Sequence, residues 1–298
     1  SYTEGTNESN RLRIGRGELV DTRLENFEIL FTVNETKTGT QHFGSRFAWL
    51  PDGTLLFSVG DGGNPPVAYN GDLIREQAQN LSAHLGKIIR INADGSIPAD
   101  NPFVGRPDVQ PEIYSYGHRN VQGLAYSPLH ERVFASEHGS KGGDEFNIIL
   151  PGKNYGWPEV TYSTEYDAFG TPIAETVSQA PFIDPLVAWT PTVAPSSVVA
   201  FKDNQYSVDS SIYMAAMLLR SNASIAAYAF RPAGAIIRIE TSSDGSTITD
   251  QEVIRVGDVR VRSIAEGSDG YLYALTDTTD RQSRPGTNAG AIVRIESW

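Results

Sequence analysis

"SRFAWLPDGTLLFSVGD", residues 45–61, decides how this chain folds. Two short runs of aromatic, aliphatic and β-branched residues flank Pro-Asp-Gly. That pattern reads as strand, tight turn, strand. The plan returns in "GLAYSPLHERVFASEHG" (123–139) and in "RSIAEGSDGYLYALTD" (262–277). A looser copy begins at "SSVVAFKDNQYSVDSSIYMAAM" (196–217). Each hairpin is followed by further strand-like sequence, such as "LGKIIRINADG" (85–95) and "GAIIRIETSSDG" (234–245). The hairpins recur every several tens of residues, the range of four-stranded propeller blades. The expectation is an all-β chain forming one propeller domain over residues 1–298. A pair of packed sheets is the alternative.

The ends read differently. The chain opens on a polar stretch, read as a loop, before "RLRIGRGEL" and "FEILFTV", which look like the outer strands of a blade. It closes on "GAIVRIESW", an ordinary strand. A propeller usually joins its ends in one blade, which removes exposed edges. No partner for that closure is evident, so a smaller propeller of about five blades, pairing with a second copy of the chain, or a fragment are the readings.

Composition narrows the functions. The 298 residues carry 24 Lys and Arg against 36 Asp and Glu, a formal charge of −12. Such a surface repels phosphate backbones, so nucleic acid is not an expected partner. There is no cysteine, hence no disulfide, thiolate ligand or thiol nucleophile. No apolar run reaches the length of about 20 residues that spans a bilayer. No basic stretch followed by an apolar one opens the sequence, so it shows no signal peptide.

The residues that carry chemistry lie near the hairpins. His42 sits in "TGTQHFGSRFAW", a loop entering an inner strand, where a neutral imidazole can take a proton from a hydroxyl. A loop histidine bonded to backbone is the plainer reading. Asp61, at the end of the same hairpin, can orient that imidazole or serve as a turn carboxylate. "SYGHRN" (115–120) crowds Arg119 and Asn120 just before the next inner strand. Strand alternation puts Arg260 and Arg262 of "DVRVRS" on one face, which calls for an anion or an acidic partner. "SEHGSKGGDEFN" (136–147) is a glycine-rich loop able to turn carbonyls towards a hard cation, without EF-hand spacing.

Taken in order, "HFGSRFAWLPDGTLLFSVGDGG", "LGKIIRINADGSIPADNPF", "SYGHRNVQGLAYSP", "SEHGSKGGDEFNIILPGKNYGWPEV", "WTPTVAPSS" and "RVRSIAEGSDGYLYALTD" resemble the pyrroloquinoline-quinone-dependent soluble aldose dehydrogenases, the glucose/sorbosone dehydrogenase family. The collinear match runs from about residue 41 onward. The resemblance implies a six-bladed propeller, here truncated or reduced to about five blades. It implies oxidation of an aldose at its anomeric carbon, with hydride passing to pyrroloquinoline quinone held by Ca²⁺, and an electron acceptor that the sequence does not identify. It also implies a periplasmic or secreted location. By the same resemblance His42 is the general base and Asp61 its orienting carboxylate. Arg119, Asn120, Arg260 and Arg262 clamp the quinone. The carbonyls of Gly139 and Ser140 hold the cofactor calcium. Glu145 and the backbone of Tyr155 form a second, structural calcium site. Thr192 contacts the cofactor and Trp189 lines the sugar site.

Two departures stand out. The family's quinone-pairing lysine of the fifth blade has no counterpart, Arg220 being the nearest substitute. The first blade and the inner half of the second, with a glutamine that approaches the sugar, are also without counterpart. A propeller that keeps the family's sequence without its activity, acting as a binding module, is the alternative function. A metal-dependent lactonase-type hydrolase fits less well, since the residues expected at the channel are cationic.

Overall fold

The structure is a computed structural model of residues 1–298. It describes all residues except 64–66, 202–210, 218–233, 258, 278–289 and 297–298. Arg220 lies outside the described residues. Nearly all regular structure is strand, and one short 3₁₀ turn, Ile74–Ala78, is the exception among the described residues.

The strands follow the chain as antiparallel meanders. The first sheet is β1 (Tyr2–Gly5), β2 (Asn10–Val20) and β3 (Arg23–Thr32). The second takes β4 (Phe47–Trp49) and β5 (Leu55–Val59). It then passes over a small ribbon, β6 (Ala68–Tyr69) with β7 (Asp72–Leu73), and finishes with β8 (Lys87–Ile91) and β9 (Ile113–Tyr116). The third is β10 (Val121–Ser127), β11 (Arg132–Glu137), β12 (Asp144–Ile149) and β13 (Val187–Trp189). The fourth is β14 (Pro195–Ala200), β15 (Ser211–Ala216), β16 (Gly234–Thr241) and β17 (Ile248–Gly257). The fifth is β18 (Arg260–Glu266), β19 (Leu272–Asp277) and β20 (Ala291–Ile295). In each sheet the order in space is the order in sequence, the pattern of propeller blades.

The opening residues correct one reading. Tyr2–Gly5 is a strand, not a polar loop: it pairs with Asn10–Arg13 through a turn closed by Thr6 N–H donating to Ser9 O at 2.9 Å. Backbone pairing needs no apolar side chains, so polar residues gave no signal there.

The hairpin at 45–61 shows why the repeat forms. Leu50 N–H donates to Thr54 O at 2.9 Å, and Gly53 takes φ +80°, which glycine adopts without strain. Asp52 accepts from Thr54 N–H at 2.9 Å and from Arg90 at 2.6 Å. The turn at 267–271 repeats the device: Gly267 N–H donates to Tyr271 O at 2.8 Å, Asp269 accepts from Tyr271 N–H, and Gly270 has φ +77°. In both, an aspartate side chain closes the turn two residues on. β5 and β8 are buried along their whole length, as inner strands covered on both faces.

The contacts divide the chain into two compact units. One comprises 1–121, 150–161 and 173–183, with a core of Leu12, Ile14, Leu55, Phe57, Ile89 and Ile113. The other comprises 122–149, 162–172 and 184–298, with cores around Phe134, Phe146 and Ile212, and around Tyr213, Ile236 and Leu272. Each fully buried aliphatic or aromatic side chain contributes about 1.5–3 kcal/mol. No helix among the described residues is long and apolar enough to cross a membrane.

Candidate functional site

In the first unit the structure brings His42 and Asp61 together. The loop before β4 carries His42 with φ +55°, followed by Gly44 at +66° and Ser45 at +71°. This tight reversal turns the ring back towards the end of β5. There Nδ1 lies 2.6 Å from Asp61 Oδ1. The histidine side chain is 7 % exposed and the aspartate side chain is fully buried. Asp61 also accepts from the Trp157 indole N–H at 3.0 Å and from Gly63 N–H at 3.3 Å. An ionised aspartate here makes Nδ1 the protonated nitrogen, so Nε2 presents a lone pair. Nε2 has no partner among the described residues.

Arg119 and Asn120 join this pair. Asp61 N–H donates to Arg119 O at 2.8 Å, so the two loops run side by side. The Arg119 guanidinium lies 5.3 Å from the Trp157 ring, and Arg119 and Asn120 are both buried. Gly60 makes the close approach feasible. A side chain there would fall 2.3 Å from His42 O and 3.0 Å from Asn120 Oδ1. Burial lowers the His42 pKa from its usual value. Asp61 opposes that shift, and the positive charges of Arg119 and Lys37 add to it. The ring is therefore neutral at neutral pH, as a base must be.

The Trp157 indole was not among the expected site residues. It reaches Asp61 from 96 positions away. A reciprocal amide pair fixes its loop: Gln79 Nε2 donates to Trp157 O at 2.7 Å, and Asn154 Nδ2 donates to Gln79 Oε1 at 2.7 Å. The other histidines serve structure. His84 accepts from Asn34 N–H at 3.1 Å and lies 2.7 Å from Glu112. His118 stacks on Tyr155 at 4.6 Å and lies 2.9 Å from the Ser115 hydroxyl. In the second unit His130 bridges the Ser127 and Thr241 hydroxyls, and His138 meets Pro195 O at 2.6 Å. Tyr155 also accepts from Leu150 N–H through its hydroxyl at 2.9 Å.

In the second unit the glycine-rich loop closes on itself. A side chain at Gly139 would fall 2.1 Å from Gly142 O and 2.5 Å from Gly143 O, so carbonyl oxygens crowd this turn. Ser140 N–H donates to the Ser163 hydroxyl at 3.0 Å, which donates to Gly142 O at 3.0 Å. Asp144, 1 % exposed, ties this loop to the next: it accepts from Gly139, Val193 and Ala194 N–H groups at 2.9, 2.8 and 2.7 Å, and from the Thr192 hydroxyl. Glu145 lies deeper, with Asn147 Nδ2 donating to it at 3.2 Å and Asn147 Oδ1 buried without a partner. Burial and the neighbouring Glu137 raise the Glu145 pKa.

Trp189 donates to Gln251 at 3.1 Å. Arg260 and Arg262 flank fully buried Val261 in β18, but a bulge between Val261 and Ser263 leaves Arg262 without a cross-strand register partner, so simple alternation does not hold here, and Arg262 is engaged. Its guanidinium donates to Asp277 Oδ2 at 3.0 and 2.8 Å and to Met217 Sδ at 3.1 Å. Among the described residues no cluster of three or more His, Cys, Asp or Glu is arranged to hold a metal. A cation in the glycine-rich loop would rest mainly on backbone oxygens.

The glucose/sorbosone dehydrogenase family model matches residues 1–284. A Synechocystis protein described as uncharacterised is 45 % identical over 298 residues, all of this chain and 66 % of that protein. The Escherichia coli aldose sugar dehydrogenase is 30 % identical over 282 residues, 93 % of this chain and 69 % of that one. The chain thus spans about two thirds of the length of these curated relatives. A glucose dehydrogenase crystal structure superposes with a TM-score of 0.83 at 31 % identity, covering 100 % of this chain and 77 % of that one. The quinone-bound form of an aldose sugar dehydrogenase from Streptomyces coelicolor superposes with a TM-score of 0.67 at 27 % identity, covering 98 % and 73 %. The fold class is the β-propeller of these dehydrogenases, and the chain belongs to the glucose/sorbosone dehydrogenase family.

Proposed function

We propose that this protein oxidises the anomeric carbon of aldose sugars to lactones, using calcium-bound pyrroloquinoline quinone. The observation that carries the reading is the His42–Asp61 contact at 2.6 Å beside buried Arg119 and Asn120. The relatives named as aldose sugar dehydrogenase, one of them in its quinone-bound form, support it.

The residues fit the cofactor. A quinone bearing carboxylates calls for cationic and amide donors. Arg119 and Asn120 supply both where Gly60 leaves no room for a side chain. The carbonyls of Gly142 and Gly143 that crowd Gly139 suit a hard cation in this loop, and Gly139 and Ser140 are proposed as its ligands on the resemblance. When bound, the quinone supplies the two-electron acceptor. The rest falls to the protein. His42 Nε2 takes the proton of the anomeric hydroxyl as the carbon gives up hydride. Asp61 holds Nδ1–H and stabilises the imidazolium that forms. Arg119 and Asn120 orient the bound group, and the Trp157 face supports Arg119.

The roles of Arg260, Arg262, Thr192, Trp189 and Arg220 towards cofactor and sugar are proposed on the resemblance alone, as is the pairing of Glu145 with Tyr155 at a structural calcium. So are one propeller domain over 1–298, a periplasmic or secreted location, an external electron acceptor and pairing with a second copy.

The test is a titration of the purified protein with pyrroloquinoline quinone and Ca²⁺, then a pulse of aldose while following cofactor absorbance. Saturable binding followed by bleaching on sugar addition is the expected result. Absence of binding overturns the reading and leaves a propeller that has lost the chemistry.

A further inference from the structure

We infer that Lys37 is a positioning residue of the His42–Asp61 pair: its side chain braces the loops that carry the two residues, and its charge adds to the burial that keeps the imidazole in its proton-accepting form. This rests on reading His42 as the base.

Lys37 is 5 % exposed, unusual for a lysine outside a carboxylate pair. Its backbone is fixed by two hydrogen bonds with Asn10, at 2.8 and 2.9 Å. Asn10 Nδ2 also holds Gly39 O at 2.9 Å, which stiffens the segment between Lys37 and His42. The lysine stem then crosses Gly62, where a side chain would fall 3.0 Å from Cδ. Its ammonium ends 4.0 Å from the centre of the Phe43 ring and donates to Gly39 O at 3.2 Å. Gly62 follows Asp61 and Phe43 follows His42. One side chain therefore rests on the neighbour of each member of the pair. Glycine at 62 favours this, since that residue has φ +94° and a Cβ there would press on the Ile74 and Lys37 side chains.

The charged groups around the ring are Asp61, Arg119 and Lys37. Asp61 favours the imidazolium, and the two cations oppose it. Burial lowers the Lys37 pKa to about 8, with Asp61 pulling it back up. At neutral pH the side chain is mainly charged and repels a proton on His42.

The test is an NMR titration of the His42 ring in the full chain, without quinone or sugar. In the wild type, the ring resonances should show their own titration and a second, smaller inflection near pH 8 as Lys37 loses its proton. Lys37→Met keeps the stem and removes the charge, and should move the His42 midpoint upward. Lys37→Arg should hold it near the wild-type value. A brace without electrostatic effect would leave the midpoint unmoved in Lys37→Met, and that result overturns the inference. So does a wild-type trace with no second inflection at any pH up to the ordinary lysine value of 10.5, which decides the matter if Lys37→Met does not fold. Because the titration needs no cofactor, a protein that behaves as expected here but never reduces quinone would sink the dehydrogenase reading alone.

Discussion

Two buried aspartates organise this molecule, one in each unit, and they are used differently. Asp144 directs its oxygens at three backbone N–H groups and a threonine hydroxyl. None of those partners titrates near neutral pH, so the carboxylate acts as a fixed clamp between loops. Asp61 directs its oxygens at an indole, one backbone N–H and an imidazole. The imidazole does titrate. A carboxylate satisfied by amides holds a shape, whereas one shared with a histidine stores a response to a proton. Burial is nearly equal at the two sites, 1 % and 0 % exposed, so partner chemistry makes the difference.

The sharpest way to break this comparison is at the histidine. His42→Ala should lower kcat on aldose by about 10²–10⁴-fold, the usual worth of a general base. Quinone affinity should stay close to wild type, while stability should fall by as much as any lost hydrogen bond to a buried charge costs, about 1.5–3 kcal/mol. Full turnover in that variant would remove His42 from the chemistry. Asp144→Ala should act first on stability, because three buried N–H groups lose their acceptor at about 1–3 kcal/mol each. Denaturant unfolding should show a loss of at least about 3 kcal/mol. An unchanged unfolding midpoint would mean that the clamp is redundant.

Smaller effects refine the picture. Trp157→Phe deletes the indole N–H bonded to Asp61, at a cost of about 1.5–3 kcal/mol for a hydrogen bond to a charged group. It should weaken activity more than His42-independent quinone binding, which steady-state kinetics with parallel cofactor titration separates. The pH profile tests the same pair. The His42 pKa is lowered on folding, so below its ordinary value of 6.5 the unfolded chain binds more protons than the folded one. Stability contributed at this site should fall as pH drops below about 6.5, and kcat/KM should fall as pH passes the lowered folded value. An acidic limb above 6.5 would contradict the burial of the ring.

The smallest effect is expected at Glu145. Its pKa is raised from 4.5, so the wild type should lose stability as pH rises from there through the folded value. Glu145→Gln should remove that slope. If Glu145 holds a cation, Ca²⁺ should raise the wild-type melting temperature by a few degrees, about the effect of 1 kcal/mol in a chain of this size. It should leave Glu145→Gln unmoved. Equal responses of the two would free Glu145 of any metal role.

The sequence by itself determined the blades. Turn chemistry is local: Pro-Asp-Gly at 51–53 and Ser-Asp-Gly at 268–270 each place an aspartate to close the turn and a glycine where φ is positive. Hairpins then follow from residues a few positions apart, and antiparallel meanders from hairpins. Asp61, Arg119 and Asn120 lie beside strand ends that the repeat locates and His42 in the loop before β4, whereas their proposed roles come from the family resemblance. Tertiary structure alone decided who meets whom. Trp157 reaches Asp61 across 96 positions and Asp144 reaches Ala194 across 50, separations at which no local pattern carries information. It also engaged Arg262 with Asp277 across a strand pair, where the sequence showed only two arginines on one face. Lys37 carries no signal of its own in the sequence, and only its burial against Phe43 and Gly62 gives it a place. Local backbone preferences write strands and turns into the sequence. Burial and the pairing of charges depend on the packed whole, because desolvation acts only when distant segments close over a group.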